Sequence, residues 1–250
     1  MNTVDRFSDR VANYIKYRPD YPREVLGLLD RECGFTSETI VADVGCGPGV
    51  SARMFLENGN RVFGVEPNAA MRSAAAEQLA GFPWFMPVDG SAEATTLAEA
   101  SVDMVIAAQA FHWFDAAKTR DEFKRILRPG GYIVLMWNER RLTSTPFLVE
   151  YEAFLLKYSR DYQSVRHENI DKLKLDAFFA GPYGRRSFEN VQDFDLEGLT
   201  GRMLSSSYMP PDTDPIFPTM EKELTDLFAK HAESGRIKVF YDTNVYFSRV

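Results

Sequence analysis

The sequence predicts an α/β chain whose sheet is doubly wound and mostly parallel, and three observations carry that expectation. Short apolar runs of strand length alternate with helical patterns up to about residue 138, as βαβ units do. The first run, 40–44, passes directly into Gly45, Gly47 and Gly49, spaced two apart. A turn of that kind needs backbone angles closed to other residues and lets a ligand approach the main chain. Finally, an apolar fraction of 45% over 250 residues fills one core and requires no second domain.

Strands are predicted at 40–44, 61–65, 83–87, 102–108 and 131–137. Helices fall between them at 51–58, 68–79, a short one near 93–99, and 116–127. Asn58-Gly59 and Pro129-Gly130-Gly131 serve as helix stops. A ligand of such a sheet lies outside the carboxyl ends of its strands. Beyond Trp137 the alternation breaks. The segment 145–160 is amphipathic and rich in aromatic residues, 171–180 is a further short helix, and Gly181-Pro182-Tyr183-Gly184 is a turn. We read 146–180 as a helical insertion over the cleft, 186–194 as a sixth strand, 196–204 as a helix, and 215–234 as a helix stopped by Gly235. The segments 237–241 and 245–248 supply closing strand material. One domain then covers 1–250, divided into an N-terminal segment with the first helix (1–35), a ligand-binding core around the glycine turn (36–138), the insertion, and a C-terminal completion of the sheet (185–250).

A net charge of −7 gives no electrostatic grip on a nucleic-acid backbone, so nucleic acid is not an expected partner. Cys33 and Cys46 cannot form a disulfide framework and are expected to be reduced thiols. No apolar signal core or membrane-length run is visible, which points to a cytoplasmic protein with no membrane partner, acting as a monomer or homodimer.

Two details narrow the ligand of the glycine turn. A dinucleotide fingerprint places its third glycine where this chain has Val50. Asp43, two residues before Gly45, would repel a pyrophosphate and suit a ligand carrying positive charge; S-adenosylmethionine carries an ammonium and a sulfonium. Glu66, about twenty residues past the first glycine and after the second strand, sits where an acid accepts both ribose hydroxyls. A turn acid at Asp43 and a solvated strand-end residue at Glu66 are the plainer readings of the same positions.

The segments 41–50, 62–71, 90–93, 101–114 and 126–135 together resemble class I S-adenosylmethionine-dependent methyltransferases of the type 11, small-molecule branch, which includes trans-aconitate methyltransferase. The resemblance implies a Rossmann-like sheet of seven strands, closed by an antiparallel member, with S-adenosylmethionine as cofactor and S-adenosylhomocysteine as product. It implies donor contacts from Asp43, Gly45, Cys46, Gly47, Gly49, Glu66, Pro67 and Met71, adenine contacts from Ser91 and Ala92, and a contact from Gln109 to the methionine end. An ordinary strand-to-helix turn with Ser91 as N-cap is the plainer reading of that position. The segment 6–10 and the run from Tyr14 to Pro22 resemble the family's lid, with Tyr14 and Arg18 nearest the donor carboxylate or the substrate.

Methyl transfer is an in-line displacement that gains most from alignment and exclusion of water, about 7–11 kcal/mol from positioning alone. It needs no metal, and His112, His167 and His231 lie far apart in sequence. His112, in the run Gln109-Ala-Phe-His-Trp-Phe114, is the candidate catalytic residue, able to orient a substrate or take its proton. Phe111 and Trp113 are candidate substrate contacts, as is Tyr208 in Ser205-Ser-Ser-Tyr208. Arg140 and Arg141 offer a carboxylate clamp. The reaction expected from these residues is methylation of a small-molecule acceptor, on a carboxylate oxygen. A quinone- or phenol-like acceptor, or donor binding without turnover, are the alternatives.

Overall fold

The computed structural model describes residues 11–160, 162 and 172–250. Their seven strands form one sheet in the order β3-β2-β1-β4-β5-β7-β6. β1 (Val41–Val44), β2 (Val62–Val65), β3 (Phe85–Val88), β4 (Val102–Ala108) and β5 (Leu127–Arg140) run parallel; β7 (Ile237–Arg249) is antiparallel to both β5 and β6 (Gly184–Phe194). β1 and β4 are buried along almost their whole length, as strands covered on both faces are.

Two apolar layers sandwich the sheet. On one side α2 (Glu24–Cys33) and α3 (Val50–Glu57) bring Leu28, Leu29 and Phe55 onto Val41, Ile106 and Met136. On the other, α5 (Ala116–Ile126) and α7 (Lys172–Phe179) bring Phe123, Ile126 and Phe178 onto Val105, Leu135 and Trp137. α4 (Ala69–Gln78) packs beside β2 and β3. A third cluster joins α1 (Val11–Tyr17), α6 (Pro146–Tyr158), α8 (Leu196–Leu204) and α9 (Phe217–His231) to the outer half of β7.

Four expectations change. There is no helix at 93–99: Ser91 bridges Ala94, and the N–H and hydroxyl of Thr95 both donate to Glu122 on α5 (2.8 and 2.5 Å), which holds that chain extended. Arg125 and Thr95 together hold the Glu122 carboxyl down at about 2. Pro129-Gly130-Gly131 does not stop α5. The helix already ends at Ile126, and the turn residues form a bulge within β5, opposite the shift between Val102 and Met104, with Gly130 at φ +82°. α9 ends at His231, and Gly235 instead turns a small bridge between Glu233 and Arg236 into β7. The segments at 237–241 and 245–248 are one continuous strand.

The described part of the insertion also sits elsewhere than expected. α6 packs against α9 and α7 against α5, and neither lines the cleft. The cleft is covered from the N-terminal side, where the segment from Tyr17 to Asp20 is strapped to the sheet. Gln192 donates to the Tyr17 carbonyl (3.1 Å), Asn138 to the carbonyls of Pro19 and Asp20 (3.3 Å each), and Asn190 to that of Asp20 (2.7 Å).

α1 reaches this position because α8 offers it a glycine. A Cβ added at Gly201 would lie 2.0 Å from the Tyr17 ring. Gly201→Ala is therefore expected to lower stability by about 1–3 kcal/mol through overpacking. Urea unfolding measures it, and an unchanged midpoint would place α1 differently.

Candidate active site

A cleft at the carboxyl ends of β1, β2 and β4 is lined by Tyr14, Arg18, Pro19, Tyr21, Gly45, Cys46, Gly47, Val50, Ser51, Glu66, Pro67, Asn68, Met71, Ser91, Ala92, Glu93, Ala108, Gln109, Ala110, Trp113 and Phe114. β1 ends at Val44, and the chain turns through Gly45, Gly47 and Gly49 at φ +71°, +55° and +90°, all left-handed. The three glycines do different jobs. A Cβ at Gly45 would meet that of Ala110 at 2.7 Å, so this glycine admits the loop after β4. One at Gly49 would lie 2.6 Å from Leu79 Cδ1, so Gly49 lets α3 pack on the end of α4 and does not line the cleft, contrary to expectation. One at Gly47 would meet nothing within 4 Å and face the cleft.

Glu66 explains why the second strand matters to this loop. Its Oε2 accepts from the Gly47 N–H and its Oε1 from the Asn68 N–H, both at 2.9 Å. Burial pushes the carboxyl up, and these two bonds oppose the rise. A carboxylate has about four acceptor positions, so the group keeps capacity toward the cleft.

Asp43 corrects the expectation of a direct donor contact. It is fully buried beneath the loop, absent from the cleft lining, and accepts the Ser51 hydroxyl at 2.6 Å. A charge there acts on the cleft only through the field. Burial pushes its carboxyl up to about 7, with Glu66 adding to the rise and Ser51 opposing it. Since the folded value lies above the unfolded one, stability falls as pH rises from about 4 to about 7 and the unfolded chain gives up its proton first. Asp43→Asn removes that dependence, so its stability advantage over the natural protein is expected to widen by roughly 2–3 kcal/mol between pH 5 and 8. Urea titrations at both pH values read it, and a constant difference would show Asp43 to be ionised throughout.

Gln109 is the strained residue of the site. It has φ +56° without being a glycine, a conformation that persists only where surrounding structure imposes it. Its N–H donates to the Met136 carbonyl (2.9 Å) and its Nε2 to that of Asn138 (3.1 Å), leaving Oε1 buried and unpartnered in the cleft wall.

The other expected contacts divide. Tyr14, Arg18, Cys46, Pro67, Met71, Ser91, Ala92 and Trp113 line the cleft. Phe111 is buried against Phe178 and Trp137, a core residue and not a substrate contact. His112 packs against Trp113 with its ring tilted by 45° (centroids 4.6 Å apart), outside the lining; burial first, then Arg18 and Lys174, push its imidazole down to about 4. Arg140 is buried and paired with Glu152, donates to the Tyr162 hydroxyl (3.1 Å) and lies over the Tyr151 ring, so it is no free clamp. Arg141 pairs with Asp242 (2.7 Å) and Glu189 (2.9 Å) across the outer sheet edge. Tyr208 packs against Tyr162 with the rings tilted by 36° and their centroids 4.6 Å apart, outside the lining. The segment 6–10 and His167 lie outside the described residues. Cys33 and Cys46 are both free, and among the described residues no group of three His, Cys, Asp or Glu could hold a metal ion.

Sequence reasoning missed Tyr21, Asn68, Glu93 and Phe114 in the lining. All four stood within quoted motifs, but which side chains of a loop point inward is set by its turns.

Residues 42–135, from β1 to the middle of β5, match the model of a methyltransferase domain. That stretch is similar to a methyltransferase domain. It is 36% identical over 134 residues to an uncharacterized methyltransferase of Mycobacterium tuberculosis, covering 54% of this chain and 52% of that protein. A methyltransferase-like protein of Schizosaccharomyces pombe is 30% identical over 159 residues, 63% of this chain and 60% of that one. The chain thus spans about half the length of the first of these relatives. In structure it resembles a candidate type II methyltransferase from Anaeromyxobacter dehalogenans, with a TM-score of 0.70 at 21% identity over 93% of this chain and 98% of that one. It also resembles the [4+2]-cyclase SpnF, with a TM-score of 0.56 at 14% identity over 96% and 93% of the two chains. These likenesses establish a Rossmann-like fold. No described helix of the chain is long and apolar enough to cross a membrane.

Proposed function

We propose that the protein transfers a methyl group from S-adenosylmethionine to a small-molecule acceptor. The observation that carries this reading is the joint placement of Gly47, Glu66 and Gln109 on one cleft: an open glycine face, a carboxylate with spare acceptor positions, and an orphaned buried amide oxygen. Glu66 would accept from the ribose hydroxyls, Gln109 Oε1 from the donor's ammonium, and the Arg18 guanidinium would meet its carboxylate. Met71, Ser91 and Ala92 supply the walls for the adenine. Aromatic Trp113 and Phe114 face the same space and favour a cation over the ring quadrupole. When bound, the donor supplies an electrophilic methyl group; the residues align it and keep water out.

The acceptor atom we infer is a carboxylate oxygen. Such a group is already ionised at neutral pH, with an ordinary pKa near 4, and so needs no base. His112 fits that role poorly as a base, since its imidazole is held at about 4 and lies outside the lining. His112→Ala is accordingly expected to change turnover by less than about tenfold, whereas a general base would cost about 10²-fold or more. Because a [4+2]-cyclase shares the fold, the deciding assay is release of S-adenosylhomocysteine during a screen of carboxylate, phenol and carbon-acid acceptors. Turnover of phenols alone, lost in His112→Ala, would overturn the carboxylate reading.

A further inference from the structure

We propose that Asn138, which lies outside the cleft lining, is the positioning residue for the amino-acid end of the donor: its side chain fastens the segment that carries Arg18, and its backbone carbonyl turns the Gln109 amide. The inference goes beyond the proposed function and rests on the placement of the donor given there.

Asn138 follows the buried apolar run Leu135-Met136-Trp137 on β5 and is itself only 5% exposed. A buried amide is costly unless its hydrogen bonds are made. Here both N–H groups and both lone pairs of the side chain are used. Nδ2 donates to the carbonyls of Pro19 and Asp20 (3.3 Å each), while Oδ1 accepts from the Thr243 hydroxyl (2.5 Å) and from Asn190 Nδ2 (3.2 Å). Thr243 on β7 and Asn190 on β6 thereby hold the oxygen on the sheet side, and the N–H groups face the segment that covers the cleft. Arg18 stands immediately before Pro19 and lines the cleft, so the grip on the Pro19 carbonyl fixes the residue that carries the guanidinium. The same Asn138 also acts on the cleft wall at the end of β4. Its carbonyl accepts from Gln109 Nε2 (3.1 Å), which leaves Gln109 Oε1, and not the amide N–H groups, for a ligand. One residue outside the cleft thus sets an acceptor for an ammonium and a guanidinium for a carboxylate, the two ends of one zwitterion.

Asn138→Asp is the sharpest probe, because it keeps the shape of the side chain and sets an acceptor, in place of a donor, against two carbonyl oxygens. In calorimetry with the whole protein it is expected to weaken S-adenosylhomocysteine at least about tenfold, as loss of a charge-assisted contact through Arg18 requires. The double variant Arg18→Ala/Asn138→Asp is expected to bind no more than about threefold more weakly than Arg18→Ala alone, since two residues that act through one contact are not additive. A merely structural role would add its loss in full. Asn190→Ala removes one bond to the covering segment and leaves Asn138 in place, and its affinity is expected to fall between those of the natural protein and Asn138→Asp. Asn138→Ala, which sets no oxygen against the carbonyls, carries the same comparison if thermal unfolding shows that Asn138→Asp does not fold. Unchanged S-adenosylhomocysteine affinity in the folded variant, or a loss that adds in full to that of Arg18→Ala, overturns the proposal. Failure of the donor reading looks different: S-adenosylhomocysteine would not bind the natural protein at all.

Discussion

Gly47→Val is expected to abolish binding of S-adenosylhomocysteine in a protein that still folds. The Cβ position of Gly47 meets no protein atom within 4 Å and opens on the cleft, so the added side chain occupies ligand space and clashes with nothing of its own chain. Its φ of +55° costs a non-glycine residue about 1–2 kcal/mol, a loss that a domain of this size absorbs. Gly49 provides the control. Its Cβ would strike Leu79, so Gly49→Val is expected to lower stability first. Calorimetry beside thermal unfolding distinguishes the two, and a folded Gly47→Val protein with normal affinity would refute the cradle assigned to this loop.

Glu66→Ala is expected to weaken S-adenosylhomocysteine binding at least tenfold and by as much as several hundredfold. Each hydrogen bond to a charged acceptor is worth about 1.5–3 kcal/mol. The substitution removes the proposed ribose contacts and also strips the Gly47 and Asn68 N–H groups of their acceptor. The loop thereby loses its fixed shape along with a ligand contact. Glu66→Gln, which keeps one oxygen acceptor, should fall between the two. If calorimetry finds unchanged affinity in Glu66→Ala, the acid serves only the loop.

What was legible in the sequence follows from how local its causes are. The five parallel strands could be read because each is a short apolar run bounded by turn residues, and 196–204 was read to the residue because Asp195 caps it, accepting from the Gly198 N–H at 2.7 Å. The helix expected at 93–99 failed because Thr95 is satisfied by Glu122, 27 positions away, a partner no local pattern reveals. Asp43 and Glu66 looked alike as strand-end acids. Only the depth of β1 within the sheet separates a support under the loop from a group in the cleft wall. Arg140 and Arg141 looked available because their partners, Glu152, Glu189 and Asp242, come from α6, β6 and β7.

The central claim, that this cleft is built for S-adenosylmethionine and not for a dinucleotide, is tested most directly by titrating the natural protein in a calorimeter with S-adenosylhomocysteine and, separately, with NADH. The geometry of Gly47, Glu66 and Gln109, with Val50 in place of a third fingerprint glycine, predicts saturable one-to-one binding of S-adenosylhomocysteine and none of NADH. Saturable binding of NADH with no heat from S-adenosylhomocysteine would contradict it.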